Sequence, residues 1–543
     1  MAAIVTRHNE HFATAPQISP SDLAEIAAMG FKTVVNNRPD GEGGAEQASS
    51  AEVAVAAQAA GLRYVYLPVV SGQITEQQAR DFADLLANAP GPLLAFCRSG
   101  ARSQNLYQLA HAVMASAPVP AAARPNPVQS NAAAACNWSE NQDILIIGGG
   151  SAGIGLAASL KKRQANLQIA IVEPADKHYY QPSWTLVGAG EFDAQDSVRD
   201  MAEVMPAGVS WIRAAVTGFD PDHSRVLLDN GTSLTYQNLV VAPGLQLNWA
   251  AIPGLVDTLG KNGVTSNYRF DLAPYTWELV RKLKSGKAIF TQPPMPIKCA
   301  GAPQKAMYLS CFEWEQQGAL KNIQVDFHNA GAVLFGVADF VPPLMEYVKR
   351  YNAHLHFNSK LVAIDGPAKR AWFEEKDADG NVVKVEKPFD FIHVVPPQSA
   401  PDFVKESVLA NAEGWVDVNQ VTLQHNRYPN IFSLGDASSS PNAKTAAAAR
   451  KQIVVVAENL LALRSGRELP TKYDGYGSCP LTVEKGKIVL AEFGFGGKLL
   501  PTFPLDPTVA RKSAWVLKKN ILPSVYWSLM LKGHEWFARP EGS

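Results

Sequence analysis

Five cysteines in 543 residues are too few to staple a secreted scaffold. They suit a reducing compartment, where a cysteine pair is more often catalytic than structural. Neither sign of charge dominates: Lys plus Arg total 49 and Asp plus Glu total 50, a formal net charge of -1. A chain so balanced offers no electrostatic case for binding nucleic acid. No stretch reaches the roughly 18 uninterrupted apolar residues of a membrane-spanning helix. The opening MAAIVTRHNEHF lacks the basic start and apolar run of a signal peptide, so none is expected, and any membrane contact is expected to be peripheral. What is present is ordinary globular composition, with 47% apolar and 18% charged residues. At about 150 residues per domain, the length implies three or four domains. No internal repeat is found.

Residues 116–141 are rich in Pro, Ala and Asn, without helical or strand period, and read as a semi-stiff linker that contains Cys136. They separate an arm, residues 1–115, from a body that starts at 142. The arm alternates: helix over 21–29, strand over 31–36, helix over 51–60, strand over 64–70, helix over 75–87, strand over 92–96, then a helix just after Cys97. Such alternation implies an α/β layer with a mostly parallel sheet.

The body opens with a strand over 143–147, then Gly148-Gly149-Gly150-Ser151-Ala152-Gly153, then a helix through Lys162 and a strand over 169–172. The string G-x-G-x-x-G is weak alone. Here it follows a strand and opens a helix, and Glu173 follows Gly153 by 20 residues. That context makes a dinucleotide site: Gly148, Gly150 and Gly153 let backbone amides, with Ser151 and Ala152, approach a pyrophosphate, and Glu173 takes ribose hydroxyls.

Further along, YQNLVVAPG ends in Ala242-Pro243-Gly244, and IFSLGD ends in Gly435-Asp436. Both resemble contact motifs of two-dinucleotide-domain flavoproteins, whose late Asp meets the ribityl chain, which favours FAD over NAD. A strand over 287–291 stands where a second, nicotinamide-binding unit would begin. The turn after it carries prolines and Cys299, and proline supplies no amide to cradle a pyrophosphate. NADH and NADPH are therefore not expected to bind.

Cys299 follows Lys298 at a strand-to-helix turn, which favours thiolate over thiol. Cys479 comes 180 residues later in YDGYGSCPL, a turn-rich string read as a loop. From local chemistry both remain open to reading as unrelated buried cysteines. Cys311, between Leu309 and Phe312, reads as core.

Five strings then resemble the sulfide:quinone oxidoreductases, specifically the branch with the mitochondrial enzyme: HYYQPSWTLVGAG (178–190), KCAGAPQKAMYLS (298–310), GWVDVNQVTLQHNRYP (414–429), KTAA (444–447) and YDGYGSCP (473–480). The resemblance covers about residues 142–535. It implies that Cys299 and Cys479 are the redox pair, that Gln181, Lys444 and Thr445 join the FAD contacts, and that sulfide is oxidised to sulfane sulfur while quinone is reduced. A small thiol or sulfite is the implied sulfur acceptor.

After Arg511 the chain reads RKSAWVLKKNILPSVYWSLMLKGHEWF, with Lys518, Lys519 and Lys532 among aromatic and apolar residues. Pro523 is expected to break this into two short helices that lie in a membrane interface or pack on the body. The resemblance favours the membrane; the expected location is peripheral, on the cytoplasmic side of a bacterial inner membrane. In the arm, FCRSGARS places Cys97 and Arg102 in a C-x4-R loop after a strand, an anion-binding thiolate setting. Its short spacing resembles rhodanese sulfurtransferases, and the arm, with NNRPDGE (36–42), resembles a phosphatase-fold domain fused to sulfur-oxidising enzymes. No carboxylate occupies the general-acid position in LPVVSGQ; Asp40 could serve only if its loop reaches Cys97. Persulfide handling, phosphatase activity and an inactive spacer stay open.

The expected architecture is α/β throughout: a phosphatase-like domain (1–115), a linker (116–141), a flavoenzyme body of two Rossmann-like domains (142–510) and a helical membrane-facing segment (511–543). The competing functions are an NADH:quinone dehydrogenase and a redox sensor. No metal site is assigned.

Overall fold

A computed structural model describes residues 5–8, 11–44, 47–70, 74–98, 100–116, 141–376, 380–441, 443–535 and 537–539. The expected linker, with Cys136, lies almost wholly outside them. The chain divides into two compact units, Met1–Ala135 and Cys136–Ser543.

In the first unit, strands Phe12–Ala15, Leu93–Phe96, Thr33–Asn36 and Arg63–Tyr66 pair in that order and all parallel; Thr6–Arg7 adds an antiparallel edge. Helices start where the sequence caps them. Ser49 and Glu52 form a capping box on Ser50–Ala59, and Thr75 and Gln78 another on Glu76–Asn88, each satisfying amides that the first helical turn leaves orphaned. The Phe12–Ala15 strand escaped the sequence reading because four residues are too few to show a period.

The second unit holds two large sheets, one mixed, with Arg225–Leu228 and Val216–Asp220 antiparallel at its edge, and one parallel. In one, Val209–Ile212, Ile169–Val172, Asn141–Ile147 and Ser233–Val241 run side by side, and Ile431–Ser433 pairs with Ser233–Val241. In the other, Val264–Thr265, Phe391–His393, Gly286–Gln292, Ile323–Asn329 and His354–Phe357 are parallel throughout. This is a pair of Rossmann-like layers, as expected.

Two local expectations are corrected. Cys479 sits in a strand, Gly477–Glu484, paired with Lys487–Phe493; all of its Cys-Pro-Leu-Thr-Val run but Pro480 is buried, which outweighs the turn residues before it. Pro523 does not break the tail. Lys512–Lys532 runs on as helical turns, with Pro523 at the start of a turn and wide turns at Leu517–Ile521 and Val525–Leu529 absorbing the missing donor. Among the described residues, no helix is long and apolar enough to cross a membrane.

Candidate functional site

Three motifs far apart in sequence end on adjacent parallel strands. Ile147 pairs with Val241, and Val241 with Ser433, so the turns at Gly148, Ala242 and Gly435 emerge together at the carboxyl ends of the sheet. That edge is where open α/β sheets bind ligands. Gly148 has φ +104, and a Cβ there would lie 2.4 Å from the Ala242 carbonyl; at Gly153 it would lie 2.0 Å from the Gly148 carbonyl. Both glycines thus let the turn fold tightly behind the site. Gly150 faces open space and caps helix Ser151–Arg163.

A cavity of about 370 Å³ opens there, lined by Gly150, Ser151, Ala152, Ala242, Gly244, Gly435 and Asp436. Gln181, Lys444, Thr445 and Cys299 also line it. Gly148, Gly153 and Glu173 stand behind the lining; Glu173 accepts from the Gly149 amide at 2.8 Å, as an edge carboxylate beside a ribose would be held.

The donor set fits a dinucleotide. Two helix N-termini meet the cavity, that of Ser151–Arg163 and that of Ala446–Arg464 capped by Thr445. The buried Thr185 Oγ1 and Asn267 Oδ1 have no partner and belong to residues that line the cavity. Burial pushes the Asp436 carboxyl up, opposed by Lys444 and Lys298.

Lys444 fastens two parts of the site. Its Nζ donates to the Asp436 and Ser438 carbonyls at 2.8 and 3.0 Å, and its own carbonyl accepts from the Cys299 amide at 2.9 Å. The loop after Gly286–Gln292, which would cradle a second pyrophosphate, is instead pinned against Lys444. Cys299 is forced to φ +50, a strained region for a side chain with a Cβ. Strain of this kind marks a residue held where its chemistry needs it.

The fold brings Cys299 and Cys479 into contact. Hydrogen bonding from Cys479 is the largest influence holding the Cys299 thiol well below its ordinary range, with Lys305 and Lys518 adding to it against burial. Cys479 is pushed well up by the same contact and by burial. In the dithiol state Cys299 is the thiolate and Cys479 its donor. Lys305 Nζ donates to Cys299 Sγ at 3.1 Å. Cys311 is buried and its thiol pushed up by burial, which makes it inert.

Sequence reasoning missed both cations. Lys305 is a buried lysine on the otherwise apolar face of helix Ala302–Gln316, and that mismatch was the available signal. Lys518 was read as a headgroup lysine, yet it is buried, and desolvation lowers it to about 7. Lys519 pairs with Glu191 at 2.7 Å. The tail also delivers Tyr526. His178 Nδ1 donates to the Gly149 carbonyl, so its Nε2 accepts from Tyr526, and Tyr526 in turn accepts from Ser151. The tail is therefore bolted to the dinucleotide turn.

In the arm, Cys97 is buried and its Sγ accepts from the Gly100 amide at 3.2 Å; Arg102 follows on helix Ala101–Ser116. Arg102 pairs with Glu42 at 2.7 Å, and Glu42 also meets Arg38 at 2.8 Å. The acid beside Arg102 is Glu42; Asp40 instead accepts from the Ser50 amide at 2.8 Å. Partial burial opposes ionisation of Glu42, but bonds from Arg102 and Arg38 prevail and hold it below the usual carboxylate range.

Residues 5–114 match the model of the beta-lactamase hydrolase-like protein, phosphatase-like domain, and residues 142–299 that of the pyridine nucleotide-disulphide oxidoreductases. The mitochondrial sulfide:quinone oxidoreductase of Dictyostelium discoideum is 42% identical over 399 residues, 73% of this chain and 87% of that protein. The mitochondrial sulfide:quinone oxidoreductase of Mus musculus is 37% identical over 408 residues, covering 75% and 90%. The solved sulfide:quinone oxidoreductase of Aquifex aeolicus superposes with a TM-score of 0.60 at 19% identity, over 73% of this chain and 92% of that one, a likeness of fold.

Proposed function

The chain belongs to the sulfide:quinone oxidoreductase family, and from that premise we propose how its own residues divide the work. It is an FAD-dependent oxidoreductase with sulfide and quinone as substrates. FAD, when bound, accepts the electron pair drawn from sulfide and hands it to quinone. Gly150, Ser151 and Ala152 hold its pyrophosphate on a turn that Gly148 and Gly153 make possible, Glu173 a ribose, and Ala242, Gly244, Gly435, Asp436, Gln181, Lys444 and Thr445 the remainder.

In the oxidised enzyme Cys299 and Cys479 share a disulfide. Hydrosulfide attacks the Cys479 sulfur, the S–S bond breaks, and its electron pair leaves on Cys299 as thiolate. The new bond is a Cys479 persulfide. The lower-pKa thiol is the better leaving group, and what supports Cys299 in that role is the pair of cations Lys305 and Lys518. Cys299, which lines the cavity, then holds the pair beside the cofactor. A small thiol or sulfite attacks the outer sulfur, the S–S bond to Cys479 breaks and Cys479 leaves as thiolate; re-forming the Cys299–Cys479 bond then releases the electron pair that FAD, when bound, would accept. The observation that carries this reading is the Cys299–Cys479 contact beside two lysines. Cys299→Ser and Cys479→Ser should each retain FAD and lose most sulfide-dependent quinone reduction; wild-type turnover in either sinks it.

For quinone, Leu517, Leu522, Val525 and Met530 give the cavity an apolar wall on the tail. Val516 and Ile521 on the same tail are 48% and 42% exposed, which supports seating in a lipid surface. The low cysteine count suits the cytoplasmic face of a bacterial inner membrane.

For the arm, persulfide handling is favoured over phosphate-ester cleavage. A phosphatase needs an acid free to protonate the leaving oxygen, and the carboxyl that meets Arg102, Glu42, is committed to ion pairs with Arg102 and Arg38. Cys97, in the loop that leads to Arg102, accepts sulfane sulfur from the small persulfide that the body releases. Mass spectrometry after sulfide treatment should find Cys97 persulfide in the intact chain and none in Cys299→Ser. An unmodified Cys97, with Cys97-dependent hydrolysis of aryl phosphates, would install the phosphatase reading instead.

A further inference from the structure

The second sheet carries a cluster that the redox reaction leaves unused. Parallel pairing sets Asp326 opposite His354 and His328 opposite His356. Residues two apart on a strand share a face, so three imidazoles and one carboxylate gather on one side of the sheet edge. Asp326 Oδ1 lies 2.7 Å from His356 Nε2 and 3.7 Å from His354 Nδ1. The His328 and His356 rings stack at 4.3 Å, and Phe373 stacks on His328 at 4.0 Å. One donor atom each from Asp326, His328 and His356 falls within 4.8 Å of the others.

We propose that Asp326, His328 and His356, with His354 as fourth ligand, bind a divalent transition-metal ion of the zinc class. Mixed imidazole and carboxylate donors are the set such ions take. The outer shell is also built. His328 Nδ1 lies 2.7 Å from Ser359 Oγ, which donates to Glu375 at 2.9 Å, and this relay fixes the ring. The second Asp326 oxygen accepts from Gln324 at 2.9 Å. Bonds of about 2.0–2.1 Å to a tetrahedral ion place donors about 3.4 Å apart, so the 2.7 Å Asp326–His356 pair opens to admit the ion while the wider separations close. His356 and His354, 32% and 52% exposed, have the room to do so. None of these residues lines the redox cavity. The ion would tie the edge strand His354–Phe357 to its neighbour Ile323–Asn329, a structural role.

The test uses the full-length, FAD-loaded protein with Cys299→Ser and Cys479→Ser, which removes the redox thiols as competing ligands. After chelator treatment it is titrated calorimetrically with zinc ion alone. One equivalent should bind at micromolar affinity or tighter. Adding His356→Ala or Asp326→Asn should weaken that binding by ~100-fold or more, since even an outer-shell loss costs about 10- to 100-fold. Flavin content and circular dichroism report whether each variant is folded. Should Asp326→Asn unfold, His354→Ala at the exposed rim replaces it, with a loss of about 10-fold expected. No zinc uptake by the parent, or equal uptake by the folded variants, overturns the site.

Discussion

Replacing Lys305 by Gln removes the donor that lies 3.1 Å from Cys299 Sγ while keeping a similar length of side chain. Hydrogen bonds to charged groups contribute about 1.5–3 kcal/mol net. At ~1.36 kcal/mol per pKa unit, that is a rise of about one to two units in the Cys299 thiol. The Cys479 contact and Lys518 remain, so the thiol stays partly activated. The assay is anaerobic alkylation of the dithiol enzyme with iodoacetamide across pH, in a Cys97→Ser background, with labelling of Cys299 read by peptide mass spectrometry. The midpoint should move up by one to two units in Lys305→Gln, and Lys305→Arg should restore most of it. Sulfide-dependent quinone reduction should fall with the same pH profile. An unmoved midpoint would refute the claim that Lys305 holds the thiolate.

NADH and NADPH should fail to bleach the flavin at a useful rate, because the loop after Gly286–Gln292 is pinned to Lys444 rather than free to cradle a pyrophosphate; rapid bleaching in a stopped-flow trace would promote the dehydrogenase reading. Burial lowers His178 to about 4, so the folded protein keeps it neutral while the unfolded chain protonates it near 6.5. Stability therefore falls as pH drops through that window, and His178→Asn should narrow its deficit to wild type by about 2 kcal/mol between pH 7 and pH 5 in urea unfolding; a pH-independent deficit contradicts this. Val516→Asp with Ile521→Asp should reduce co-sedimentation with lipid vesicles and slow reduction of a long-chain quinone, leaving sulfide bleaching of the flavin intact. Truncation at Arg511 is a poorer probe, because it also removes Lys518 and Tyr526 from the site; unchanged sedimentation of the point variants would argue that the tail only packs on the body.

Where local sequence dictates geometry, the site was legible. Gly148 must take a positive φ beside Ala242, and the glycine string announced that turn before any fold was known. The Cys97 loop was legible for the same reason, a strand and a helix joined through Gly100. The cysteine pair was legible only through resemblance, since 180 residues separate two thiols that a strand and a strained turn bring together. The tail misled because a lysine among apolar residues reads as snorkelling; Lys518 instead points its charge inward to another lysine and two sulfurs. Its anchor, Tyr526 on His178, joins residues 348 apart and leaves no trace in periodicity. Glu42 was passed over because it stands two residues from Asp40 in the NNRPDGE string, and only the fold decides which of them meets Arg102.

The central claim is that the Cys299–Cys479 pair carries electrons from sulfide to the cofactor. Stopped-flow absorbance of the FAD-loaded protein mixed anaerobically with sulfide, without quinone, tests it directly. The wild-type flavin should bleach within a single turnover, while Cys299→Ser and Cys479→Ser, loaded with equal FAD, should stay oxidised on that timescale. Bleaching of either variant at the wild-type rate would contradict the account.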